Sequence, residues 1–102
     1  MRKIIVLFLI LLIVATLFRI FPPQNINSIY GYRTSKSKKN LVNWKIANRY
    51  SANLMLIFMS SLLLISLILN LIDVEFENIL IGMLLFSFVI IIVLTEKKIS
   101  NL

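Results

Sequence analysis

Three stretches of this chain, residues 4–21, 52–72 and 79–94, contain no acidic side chain and a single basic one, Arg19. A run of about 20 residues that is apolar on every face has no polar side to turn toward water. At about 1.5 Å per helical residue it matches a hydrocarbon layer about 30 Å thick. Inside that layer a segment must satisfy its own backbone N–H and C=O groups, so helix rather than strand is expected. The middle run has the full length. The outer two are shorter and are expected to lean on Arg19, Lys97 and Lys98, whose stems can lie in apolar surroundings while their charges reach head-group level. The expectation is an all-α integral membrane protein: one membrane domain over residues 1–102, with three transmembrane helices. Its connector, 22–51, should contain either an interfacial helix or the start of one continuous with the second span.

Composition narrows the chemistry. The 102 residues include no cysteine and no histidine, which removes thiolate chemistry, disulfides and the usual neutral-pH proton carrier and metal ligand. Asp73, Glu75, Glu77 and Glu96 are the acidic residues, none with an evident basic partner at the sequence level. No enzymatic activity, cofactor or metal is expected. Eleven Lys and Arg against four Asp and Glu give a formal charge of +7. In a membrane protein this excess reads as a topology signal and an attraction to anionic lipid, so membrane lipids are expected partners and direct nucleic-acid binding is not.

Arg2 and Lys3 before an apolar stretch resemble a signal peptide. Residues Val14, Ala15, Thr16, Leu17 and Phe18 offer no small-x-small cleavage pattern, however, and the segment is expected to remain as a spanning helix. The connector carries Arg33, Lys36, Lys38, Lys39, Lys45 and Arg49, with Arg19 at its edge, whereas the turn between the second and third spans carries Asp73, Glu75 and Glu77. The positive-inside rule therefore places the connector and the Lys97/Lys98 tail in the cytoplasm, and the amino terminus and acidic turn outside. That turn reads as solvated, or as an attractant for a cationic peptide.

Within the connector, Pro22 and Pro23 stop the first helix. An irregular loop follows to Lys36, and Ser37 is placed as the N-cap of a helix starting at Lys38. On that helix Ser37, Asn40, Trp44, Ala47, Asn48 and Ser51 recur every three or four residues and share a face, with the lysines mostly elsewhere. Two readings of the stripe stand: an interfacial helix with Trp44 anchored at head-group depth, or a face that bonds the loop, another helix or a ligand. Arg33 could clamp a carboxylate, a lipid phosphate or helix-end carbonyls, and Gly31 permits a backbone geometry closed to larger residues. Asn53, Ser60 and Asn70 are expected to bond across helices, at about 0.5–1.5 kcal/mol each.

The ordered run Asn27, Gly31, Tyr32, Arg33, Thr34, Ser37, Asn40, Trp44, Ala47 and Asn48, after one hydrophobic helix and before two more, resembles the signature of the SdpI family. These are small bacterial membrane proteins named for the immunity protein against a secreted sporulation-delaying toxin. Its specific part covers about 22 residues of connector; the three-helix layout is the family's minimal unit, where the better-known immunity protein has further membrane segments. The resemblance implies a membrane immunity protein that protects the cell from a secreted antimicrobial or toxin peptide. It also implies a signalling role in which a cytoplasmic repressor is held at the membrane. The same ten residues are then the candidate binding set. Two other functions fit the layout: a small transporter or channel-like subunit, which without mid-membrane charges would need to oligomerise, and a membrane adaptor that binds no toxin.

Overall fold

The computed structural model describes residues 2–101 and forms three helices: α1 (Arg2–Ile20), α2 (Leu41–Leu71) and α3 (Glu77–Ser100). All three are long and apolar enough to cross a membrane, and no strand occurs among the described residues. The molecule is elongated, 48 × 23 × 18 Å. α2 lies in the middle and packs on both neighbours, running antiparallel to each.

The two ends are held differently. At the end bearing the acidic turn, Ile4 and Phe8 of α1, Met59 and Leu62 of α2, and Leu80 and Leu84 of α3 form one buried cluster. Outward-facing positions such as Ile13, Leu17, Ile57, Leu64, Phe86 and Val93 are aliphatic or aromatic and half exposed or more. An apolar surface that continuous would aggregate in water, and lipid is the solvent it suits. Three hydroxyls within the spans are satisfied by their own helices: Thr16 bonds the Leu12 carbonyl at 2.8 Å, Ser66 that of Leu63 at 2.8 Å, and Ser87 that of Met83 at 2.7 Å; the buried Thr95 Oγ1 of α3 has no such partner. Ser60, expected to bond across helices, instead donates to the Leu56 carbonyl one turn back, at 2.6 Å. Asn53 does bridge two helices, accepting from Arg19 Nε of α1 at 2.7 Å.

α2 is the element that departs most from a simple span. Its 31 residues extend about 46 Å, some 16 Å more than the hydrocarbon layer needs. The excess is the amino-terminal segment, which runs without a break through Tyr50 and Ser51 into the apolar part. Of the two forms the sequence allowed, the continuous helix is the one adopted. Its N-cap is Asn40, not Ser37. Asn40 has extended φ and ψ of −155° and 172°, and its side chain accepts from the Asn43 amide at 2.8 Å, worth about 1 kcal/mol. Ser37 is unavailable because a turn just upstream already uses its hydroxyl. α3 also runs past the apolar region predicted for it, and the added residues include the buried Thr95 and Ile99.

The turn from α2 to α3 closes as a Schellman motif: the Val74 amide bonds the Leu69 carbonyl at 2.9 Å and the Asp73 amide that of Asn70 at 3.2 Å. The motif needs a left-handed residue, and Asp73 fills the position with φ of +59°. Glu77 in the first turn of α3 and Lys97 and Lys98 in its last complement the helix dipole.

Candidate functional site

The connector folds back beneath the helix ends and is stitched to α2 and α3 by side chains of its own motif. Pro22 and Pro23 end α1 and turn the chain. Asn27 then organises a lobe, its Oδ1 accepting from the amides of Ile29 at 3.0 Å and Tyr30 at 2.6 Å. Arg33 donates from Nε to the Asn27 carbonyl at 3.0 Å, so this exposed guanidinium closes the lobe across six residues. Tyr30 returns to α1, its hydroxyl bonding the Phe21 carbonyl at 2.6 Å and its ring meeting Phe18 edge-on at 5.6 Å.

Gly31 and Asn48 form the centre. The fully buried Asn48 side chain acts as a peptide group in cross-section. Its Oδ1 accepts from the Tyr32 amide at 2.6 Å, and its Nδ2 donates to the Trp44 carbonyl at 2.8 Å and the Tyr32 carbonyl at 3.5 Å. The loop can come this close only because residue 31 has no side chain. A Cβ there would stand 2.5 Å from Asn48 Oδ1 and 2.7 Å from Pro23 Cγ, and the φ of +113° disfavours any other residue as well. Trp44 is buried completely, with Nε1 donating to the Pro23 carbonyl at 2.9 Å across 21 residues of sequence. The reading of Trp44 as a head-group anchor is therefore corrected. The connector covers the indole, and a buried indole N–H requires the partner that Pro23 provides. Ala47, also fully buried, leaves room for that covering.

Downstream, Thr34 and Ser37 cap each other reciprocally: the Thr34 amide bonds Ser37 Oγ at 2.8 Å and the Ser37 amide bonds Thr34 Oγ1 at 3.2 Å. Ser37 Oγ also reaches the Tyr32 carbonyl at 3.1 Å. Asn43, which belongs to the same face of α2 but was not singled out from the sequence, ties the Lys36 carbonyl down at 3.0 Å. Two side chains reach α3. Lys36 Nζ meets Ser100 Oγ at 2.6 Å, and the Tyr32 hydroxyl donates to Glu96 Oε1 at 2.8 Å, with the Ile92 carbonyl a longer second acceptor at 3.3 Å. Burial, then the hydrogen bond to Glu96 and its negative charge, push the Tyr32 phenol well above its ordinary pKa. Glu96, which has no evident basic partner at the sequence level, is thus the acceptor that ties the loop to α3.

Of the ten motif residues, Gly31, Tyr32, Thr34, Ser37, Trp44, Ala47 and Asn48 meet in one network. Asn27 and Arg33 form the adjoining lobe, and Asn40 caps α2 at the exposed edge. Two of the cavities that flank the network stand out by their lining. One, about 260 Å³, lies between the end of α1 and α2 and is lined by Arg19, Lys45 and Arg49 among others. The other, about 250 Å³ and almost wholly apolar, lies under Gly31 and Tyr32 between Phe18, Met55, Phe88 and Ile92. No group of histidine, cysteine or carboxylate side chains suited to a metal occurs among the described residues.

The fold and site define a multi-pass membrane protein whose inter-span connector is a folded, side-chain-stitched unit. The chain belongs to the SdpI/YfhL protein family, whose profile matches residues 24–95, from the connector to the last turns of α3. It is 48% identical over 48 residues to the uncharacterized protein YfhL of Bacillus subtilis (strain 168), a match covering 47% of this chain and 44% of that one. The match therefore spans less than half the length of that curated relative. No solved structure matches.

Proposed function

We propose that the protein is a membrane immunity protein, protecting the cell that carries it from a secreted antimicrobial or toxin peptide. Family membership over residues 24–95 carries the reading. The geometry supports it: the connector closes over an apolar cavity bounded by helices that face lipid, where an apolar side chain of a membrane-active peptide would lodge. Nine of the eleven basic residues, Arg19 included, lie at the connector end or in the Lys97/Lys98 tail, against Arg2 and Lys3 at the other end. In this reading the connector and carboxyl terminus face the cytoplasm of a bacterial cell. The exposed connector rim, with Lys38 and Lys39, is then the surface available to a cytoplasmic repressor.

The test is survival. A toxin-sensitive host expressing the protein should outlive the empty host when challenged with secreted membrane-active peptides. Trp44→Ala, which opens the connector, and Arg33→Ala, which loosens its lobe, should lose protection at equal membrane abundance. Equal sensitivity with and without the intact protein across such peptides removes the reading. A reporter fused after Leu102 that is active only outside the cell removes the orientation.

A further inference from the structure

The cavity at the end of α1 gathers three cations and no carboxylate: Arg19 from α1, and Lys45 and Arg49 from α2. Lys45 and Arg49 stand on successive turns of one helix face, where like charges repel. The acidic residues do not offset them: Asp73, Glu75 and Glu77 lie beyond the opposite end of α2, and Glu96 is engaged by Tyr32 on α3. Arg19 is steadied against the cavity by its 2.7 Å bond to Asn53. The fold therefore concentrates positive charge around a concavity of about 260 Å³, an arrangement that an anion would relieve.

Depth indicates which anion. Measured along α2 from Ala52, where the apolar run begins, Arg49 stands about 4.5 Å and Lys45 about 10 Å outside the hydrocarbon. A head-group layer of about 5–7 Å per leaflet takes in Arg49 and ends about 3–5 Å short of Lys45, a gap within the length of a lysine side chain. Phe18 and Ala52 line the same cavity, giving it an apolar wall next to the lipid-facing surface. A free phosphate would answer the charge but leave that wall uncovered. We infer that the cavity is a binding site for the phosphate of an anionic phospholipid, with Arg19, Lys45 and Arg49 on the phosphate and the glycerol and upper acyl chain against Phe18 and Ala52. The site does not depend on the toxin reading, since it needs only a bilayer containing anionic lipid.

Native mass spectrometry of the full chain in neutral detergent, with phosphatidylglycerol and phosphatidylcholine supplied equally, tests it. The protein should retain phosphatidylglycerol preferentially. A Lys45→Gln, Arg49→Gln variant should lose that retention by about tenfold or more, whereas Lys38→Gln, Lys39→Gln, which removes equal charge outside the cavity, should keep it. A charge-preserving Lys45→Arg, Arg49→Lys variant should also keep it. Unchanged Trp44 emission in each variant shows that the connector remains folded. Equal retention of the two lipids, equal loss from both neutral variants, or loss from the charge-preserving variant overturns the assignment. Displacement of phosphatidylglycerol by inorganic phosphate also overturns it, making the cavity a site for a soluble anion.

Discussion

The two ends of this bundle are built on opposite principles. At the acidic-turn end, Ile4, Phe8, Met59, Leu62, Leu80 and Leu84 pack together by contacts without direction, in a medium whose own chains are as apolar as leucine. At the connector end, the buried set includes Trp44, Asn48, Ser37 and Ser51, and the loop is positioned by bonds that tolerate little displacement. The difference shows where sequence identity matters. Aliphatic residues can exchange at the first end and still fill space, whereas Gly31, Asn48 and Trp44 each answer a requirement that no neighbouring residue type meets.

The largest test of that contrast is Gly31→Ala. The added methyl meets Asn48 Oδ1 and Pro23 Cγ at 2.5 and 2.7 Å on a backbone with φ of +113°, and both the contact and the strain must be accommodated. A loss of about 3 kcal/mol is expected, read from detergent-induced unfolding followed by the emission of Trp44, the single tryptophan. Asn48→Ala should come next, at about 2 kcal/mol, because it leaves the part-buried Tyr32 amide without its acceptor. It should also shift Trp44 emission to the red as the connector opens. Were either substitution to cost less than an aliphatic truncation at the far end, the contrast would be wrong.

Tyr32→Phe tests the link from loop to α3 and should cost about 1 kcal/mol at neutral pH. Its pH dependence has a definite sign. The folded protein holds the Tyr32 proton more tightly than the unfolded chain does, because burial and Glu96 raise its pKa from the ordinary 10.0. The stabilisation is therefore complete below about pH 10 and declines above it, as the unfolded chain gains an ionised form that the folded one resists. The Phe variant should lack that part of the alkaline decline. Parallel curves for the two proteins above pH 10 would show that Glu96 does not hold Tyr32. Ile4→Val, at the aliphatic end, should cost only about 0.5 kcal/mol, the low end for this exchange, because lipid and neighbouring side chains can close the gap.

The same contrast explains what could be read from the sequence. The three spans were legible because a bilayer demands long apolar runs and few other environments tolerate them. The stripe on α2 was legible as a stripe, since helical spacing aligns residues 40, 44, 47, 48 and 51 whatever covers them. What covers them was not legible. Trp44 meets Pro23 across 21 residues and Tyr32 meets Glu96 across 64, and no local pattern announces either pairing. Ser37 and Asn40 are both good caps three residues apart, and the choice between them rests on whether a hydroxyl is already engaged by Thr34 and Tyr32. Arg19 reads as a snorkelling charge in sequence, and its partner Asn53 lies 34 residues away. The candidate residues were thus legible one by one, and a stripe that bonds the preceding loop stood among the readings, but the choice between that and a head-group anchor rests on contacts distant in sequence.

An effect as small as that of Ile4→Val, but opposite in sign, lies in the turn at the end expected to tolerate most, and it sharpens the contrast. Asp73 is the non-glycine residue with positive φ among the described residues, in the position of the Schellman motif where glycine is usual. Aspartate tolerates this conformation better than most residues, because its short side chain can bond locally, yet it still strains against its own Cβ. Glycine would relieve that strain but would also give the unfolded chain more freedom, and the two effects oppose each other. Asp73→Gly should therefore stabilise by only about 0.5 kcal/mol, whereas Asp73→Val, β-branched in a left-handed position, should destabilise by about 1 kcal/mol or more. If the valine variant unfolds no more easily than the native chain, the turn does not hold its left-handed geometry in the bilayer. The acidic-turn end would then rest on aliphatic packing with no backbone demand of its own, and the separation between the two ends would be wider than the structure draws it.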